Sequence, residues 1–117
     1  MLKKNLKKIL LFVKFKLNHI KSSSYDISFK TKIGKNVSIM KNCEIDSLSS
    51  IGKYTYLGNN CNVTKANIGN YCSVANNVSI GPGEHNLSKI STNSVFYNNE
   101  YDSLTKLNCT INNDVWI

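Results

Sequence analysis

From Asp26 onward, one apolar residue recurs at every sixth position: Ile27, Ile33, Ile39, Ile45, Ile51, Leu57, Val63, Ile68, Val74 and Ile80, with one gap of five between Val63 and Ile68. A helix repeats every 3.6 residues and a strand every two, so no single continuous element carries this period. Short strands joined by tight corners do. Gly34, Gly52, Gly58, Gly69 and Gly81 each follow a ladder residue directly. Four residues after the ladder stand small or β-branched side chains: Thr31, Val37, Cys43, Ser49, Thr55, Cys61, Cys72 and Val78. Three hexads close a triangular coil, and successive coils stack like sheet neighbours, at about 4.8 Å. Glycine and asparagine are expected to supply the positive φ angles of the corners. Each coil buries its apolar residues against the next, so stability grows with repeat number. The fold class expected is all-β, a parallel β-helix over residues 26–85 with Ile33, Ile39, Ile45, Ile51, Leu57, Ile68, Val74 and Ile80 turned inward.

A chain of 117 residues holds one such domain. Its 15 basic residues are all lysine, and it has 18 asparagines but no arginine or glutamine. The asparagine excess is attributed to an AT-rich genome. The missing arginine argues against nucleic acid as a partner, because arginine is the usual bidentate reader of bases and phosphates.

The net charge of +8 is concentrated at one end. Seven lysines and no acid lie in residues 1–21, whereas residues 22–117 set eight lysines against seven acids. Within that arm Leu2, Leu6, Ile9, Leu10, Val13, Leu17 and Ile20 recur at helical spacing, and Ser22–Ser24 end the pattern. Residues 1–24 therefore read as a basic amphipathic helix. Lys14 and Lys16 break its apolar run, and no small-residue cleavage site follows, so a secretory signal is rejected. Two readings stand. Either the stripe packs on the fold or a partner subunit, or residues 1–21 make peripheral contact with an anionic membrane.

No CxxC pair occurs among the four cysteines, so zinc-ribbon spacing is absent. Cys43, Cys61 and Cys72 share one slot of the repeat and read as small core thiols in a reducing, cytoplasmic setting. Of the two histidines, His19 lies in the basic arm and reads as a surface residue. His85 ends the run Ile80-Gly81-Pro82-Gly83-Glu84-His85, where the ladder stops and a non-periodic loop over 86–110 begins. The ladder resumes over 111–117.

Repeats such as Ile51-Gly52-Lys53-Tyr54-Thr55-Tyr56 and Ile68-Gly69-Asn70-Tyr71-Cys72-Ser73 resemble those of the hexapeptide-repeat, left-handed β-helix acyltransferases. The likeness covers about residues 27–85 and 111–117, and left-handedness is implied by it alone. Three features resemble the xenobiotic and polysaccharide O-acetyltransferase branch. The first is the histidine-bearing loop after Ile80. The second is Ser91-Thr92-Asn93-Ser94-Val95-Phe96, similar to a Ser-Thr-x-Pro-Phe loop but without its proline. The third is Ile111-Asn112-Asn113-Asp114-Val115-Trp116-Ile117, similar to Ile-Gly-Asn-Asp-Val-Trp-Ile. Asn112 stands there for glycine, a swap expected to be tolerated because asparagine also accepts positive φ.

The resemblance implies acetyl-CoA as co-substrate, no metal, and a hydroxyl of a capsule, lipopolysaccharide or similar sugar, or of a xenobiotic, as acceptor. It implies His85 as general base, with Glu84 beside it either tuning the ring or simply solvated. Tyr54 is implied at the acceptor site and Trp116 along the pantetheine path of the cofactor. It also implies a homotrimer with the cleft between subunits. The oxyanion donor and most of the coenzyme groove would come from coils beyond Ile117, so the 117-residue form reads as truncated and is expected to have little activity. The alternative is a catalytically inactive β-helix fragment serving as a structural or interaction module or left as a gene remnant. Zinc carbonic anhydrases of this fold need three histidines, and the repeat region has one.

Overall fold

A computed structural model describes residues 2–96 and 106–117. It opens with helix α1 (Leu2–Leu17) and continues as two- and three-residue strands. These are β1 (Lys21–Ser22), β2 (Asp26–Ile27), β3 (Lys32–Ile33), β4 (Ser38–Ile39), β5 (Glu44–Ile45) and β6 (Ser50–Ile51). There follow β7 (Tyr56–Leu57), β8 (Asn62–Val63), β9 (Ala66–Ile68), β10 (Ser73–Val74), β11 (Ser79–Ile80) and β12 (Cys109–Ile111). They form three four-stranded parallel sheets, ordered β1-β4-β7-β10, β2-β5-β8-β11 and β3-β6-β9-β12. Every third strand pairs, which makes the chain a parallel β-solenoid with three faces. The all-β parallel β-helix with an N-terminal helix read from the sequence is the observed architecture.

The register follows the ladder. Ile27 pairs with Ile45, Ile45 with Val63, and Val63 with Ile80 on one face, and Ile33, Ile51, Ile68 and Ile111 stack on another. These columns fill the interior, where Ile27, Ile39, Leu57, Val63 and Val74 are fully or almost fully buried. Ile33, in the first complete coil, is half-buried against the same core. The short hexad between Val63 and Ile68 is absorbed at Lys65, whose backbone takes φ 45°. The Asp46 carboxylate holds that corner by accepting from the Lys65 N–H at 3.0 Å and the Ser49 hydroxyl at 2.6 Å.

The small residues four positions after the ladder have a second task besides size. A triangular coil buries carbonyls at its corners, and each needs a donor. Thr55 Oγ1 donates to Gly69 O at 2.7 Å, Cys43 Sγ to Gly58 O at 3.0 Å and Cys61 Sγ to Ala75 O at 3.2 Å. Hydroxyl and thiol groups thus satisfy the next coil from within.

The corner chemistry corrects the expectation for glycine. Gly34, Gly52, Gly58 and Gly69 do not hold positive φ, which falls instead two residues later, at Asn36, Tyr54, Asn60 and Tyr71, with Asn42, Asn77 and Asp114 in the same slot. The glycines are required by close approach. A Cβ on Gly52 would stand 2.4 Å from the carbonyl carbon of Gly69, and one on Gly34 2.6 Å from the Lys53 nitrogen. Asn112 is likewise outside the positive-φ set, so left-handed tolerance does not explain its presence; Asp114 takes that conformation in its hexad.

Asparagine also has a structural role that nucleotide bias had hidden. Asn42 Nδ2 donates to Asn60 Oδ1 at 3.2 Å and Asn60 Nδ2 to Asn77 Oδ1 at 2.8 Å, a ladder along one edge. Beside it Asn76 Oδ1 accepts from the Asn59 N–H at 2.7 Å, and on another edge Asn113 Oδ1 accepts from the Asn70 N–H at 2.8 Å.

Helix α1 caps the first coil, but not with the face read from its sequence. Among the described side chains of the helix Leu11 and Phe15 are buried, whereas Leu6, Ile9, Leu10, Val13 and Leu17 face outward. The cause lies in the helix end. His19 takes φ 54°, Ile20 N donates to Phe15 O at 2.8 Å and His19 N to Lys16 O at 3.3 Å. This Schellman ending folds Ile20 back against Phe15, and both enter the core beside Leu11. Lys14 then reaches over the first coil, its Nζ donating at 2.7 Å to both Phe29 O and Thr31 O. Burial lowers its pKa from the ordinary lysine value.

Gly52→Ala is expected to destabilise the protein by about 1–3 kcal/mol in urea unfolding, the usual range for overpacking. Asn36→Gly, at a corner that keeps its φ, should cost less than about 1 kcal/mol. Equal losses would show that close approach does not select the glycines.

Candidate active site

Among the described residues the solenoid is interrupted at one corner. After β11 the chain leaves through Gly81 and Gly83, at φ 70° and 102°, passes Glu84 and His85, and returns as β12 on top of β9. Gly81 fits only without a side chain, since a Cβ would stand 2.1 Å from Thr64 O. The sequence thus directs the loop out of the coil at a fixed point, with His85 exposed four residues beyond it. Residues 86–96 form short turns. Asn86 Oδ1 accepts from the Ser88 N–H at 3.0 Å, Asn93 Oδ1 from the Val95 N–H at 3.0 Å, and Ser94–Phe96 make one 3-10 turn. The part of the loop at 97–105 lies outside the described residues.

The coil resumes at Cys109, before the expected position 111, because Cys109 pairs with Ala66 and its N–H donates to Lys65 O at 3.1 Å. Trp116 bridges Ser73, which extends the first sheet, and the residue is 83% exposed. Tyr54 stands on another corner, between the third and first sheets, at φ 62°. Its ring stacks on that of Tyr71 with centroids 5.2 Å apart and planes 2° from parallel.

His85, Tyr54 and Trp116 are therefore all solvent-exposed, but the fold does not gather them at one corner of one chain. His85 leaves from the corner after the second sheet, whereas Tyr54 and the turn leading to Trp116 occupy the corner after the third. The third sheet separates the two. An open groove of about 570 Å³ lies along that third sheet nearer α1, where Lys14, Lys30 and Lys32 line it. It runs up that sheet as far as Ile68 and Asn70, and no residue of the His85 loop lines it. Tyr71 is the residue that sequence reading passed over; its place in the slot of Tyr54, one coil on, was the available signal.

Large apolar side chains crowd the described loop ends without cover. Leu87 and Ile90 are 91% and 92% exposed, and Val95 and Leu107 are exposed as well. The cysteines behave oppositely. Cys43, Cys61 and Cys72 are buried and free, and burial raises the Cys61 pKa above its ordinary 9.0. Among the described residues no group of three or more His, Cys, Asp or Glu side chains is placed to hold a metal. Comparison with family models, with curated proteins and with solved structures finds no match for this chain.

Two outcomes are expected. In a double-mutant cycle, Tyr54→Ala and Tyr71→Ala should couple by about 0.5–1.5 kcal/mol, as stacked rings do; additive losses would separate them. Because the folded pKa of Cys61 is raised, its neutral thiol stabilises the fold fully below pH 9.0, and that contribution falls as pH climbs toward the raised value. Cys61→Val should flatten this alkaline decline in thermal melts, and an unchanged decline would assign it elsewhere.

Proposed function

We propose that this chain is a hexapeptide-repeat acyltransferase of left-handed β-helix type, moving an acetyl group from acetyl-CoA to a hydroxyl of a sugar or similar acceptor. The observation that carries the reading is the one break in the solenoid among the described residues, a glycine-led loop that presents His85 at one corner and rejoins the coils at Cys109. The resemblance of Ile111–Ile117 and of Ser91–Phe96 to the acetyltransferase branch supports it.

The chemistry asked of His85 is limited. Its imidazole takes the proton from the acceptor hydroxyl as the oxygen attacks the thioester carbonyl, which is worth about 10²–10⁴ in rate. The tetrahedral intermediate collapses, the C–S bond breaks, and the imidazolium returns its proton to the departing thiolate. Imidazole suits both transfers because it titrates near neutral pH. Tyr54 lines the acceptor side and Trp116 the pantetheine path. The cytoplasm, where thiols stay reduced, is the compartment assigned.

A homotrimer completes the cleft. Its support here is the uncovered apolar set Leu87, Ile90, Val95 and Leu107 around the His85 loop, which a neighbouring subunit would bury. Light scattering is expected to report a trimer, and a monodisperse monomer contradicts this assembly.

In a form whose coils continue past Ile117, His85→Ala is expected to lower turnover by at least about 10². Acetyl-CoA binding by calorimetry should survive, because the ring acts on the acceptor proton. Unchanged turnover would remove His85 from the reaction.

A further inference from the structure

Helix α1 uses one face to cap the solenoid and leaves the other bare. Leu11 and Phe15 point into the core. On the far side Leu6, Ile9, Leu10, Val13 and Leu17 form one arc of the helix, each between 45% and 73% exposed. At 100° per residue these five positions span about 100° of the helix circumference, the width of a buried stripe. The arc runs along a helix of 16 residues, about 24 Å at 1.5 Å per residue. Surface helices ordinarily turn such a stripe toward the core, and here the core is served by the opposite side.

The borders of the arc are cationic. Lys16 flanks one edge, lying over the Phe12 ring at 6.0 Å, and Lys7 and Lys14 follow the other. No acid occurs in residues 1–21, which carry seven lysines. This charge pattern selects among occupants. A second copy of α1 would oppose lysine to lysine, and the nearly neutral body of the chain offers no net counter-charge. An anionic bilayer answers both properties at once, with an apolar interior for the leucines and headgroup charge for the lysines. The helix cannot go further in, since none among the described residues is long and apolar enough to cross a membrane.

We propose that α1 lies flat on an anionic lipid surface, the Leu6, Ile9, Leu10, Val13 and Leu17 arc sunk into the headgroup boundary and Lys7 and Lys16 at its margins. The solenoid then stands on the cytosolic side of that surface, held by Leu11, Phe15 and the Lys14 contacts to Phe29 O and Thr31 O. This docking is independent of acetyl transfer and stands or falls separately from it.

The test is co-sedimentation of the full chain with vesicles of equimolar phosphatidylcholine and phosphatidylglycerol, against vesicles of phosphatidylcholine alone. Binding to the anionic vesicles is expected to be at least about ten-fold tighter and to weaken as salt is raised. The Leu10→Asp, Leu17→Asp double variant alters exposed positions only, so its circular dichroism should be unchanged while anionic binding is lost. The Lys7→Gln, Lys16→Gln variant should lose about ten-fold of the anionic preference and little of the neutral binding. Equal binding to both vesicle types overturns the proposal, as does anionic binding that the aspartates leave intact. Failure to bind either vesicle also overturns it, and if light scattering then shows an oligomer that the aspartates dissolve, a second copy covers the arc.

Discussion

Everything in this molecule depends on how closely one coil lies on the next. The backbone of each coil hydrogen-bonds the coil above it, as where Gly52 N donates to Ile68 O at 2.8 Å and Gly58 N to Val74 O at 2.8 Å. That spacing leaves no room for a side chain at the turn, so a Cβ on Gly52 or Gly58 would overlap backbone at 2.4 or 2.7 Å. It also aligns the inward residues into columns, and the columns are the core. Strands of two or three residues have little stability of their own. The parallel register across coils is what turns them into sheets.

The same stacking distributes polar groups. Buried corner carbonyls meet hydroxyls and thiols from the coil below, while outer corners meet asparagine amides from the coil above. Both arrangements repeat because the coil repeats. A departure from the repeat is therefore conspicuous, and the largest one described is the corner at Gly81, where the chain leaves, presents His85 and returns at Cys109.

The ladder was legible because a six-residue period excludes a helix and a single strand alike, and every ladder residue from Ile27 to Ile80 sits on an inward column. The glycines were legible in place but not in cause, since spacing cannot tell a φ requirement from a close approach made by a residue many positions away. Asparagine looked like composition because its partners lie a coil apart. On α1 the apolar periodicity marked a real stripe, yet Leu11, Phe15 and the turn at His19 decided which side met the core. That choice depends on how the helix ends, which the periodicity does not contain. For the candidate site, the exit of the loop was readable from Ile80-Gly81-Pro82-Gly83. The separation of His85 from Tyr54 by a whole sheet was not readable without the order of the faces.

Amide hydrogen exchange followed residue by residue tests the stacked-coil account most directly. The account predicts slow exchange at Ser38, Glu44, Gly52, Tyr56, Asn62 and Gly69, whose N–H groups donate across coils, and fast exchange at Leu87 and Ile90 on the loop. Protection should therefore alternate along the coils, falling on every second residue from Gly52 through Tyr54, Tyr56, Gly58, Asn60 and Asn62 to Thr64. Uniform fast exchange through residues 26–80, or a continuous protected block without that alternation, would contradict it.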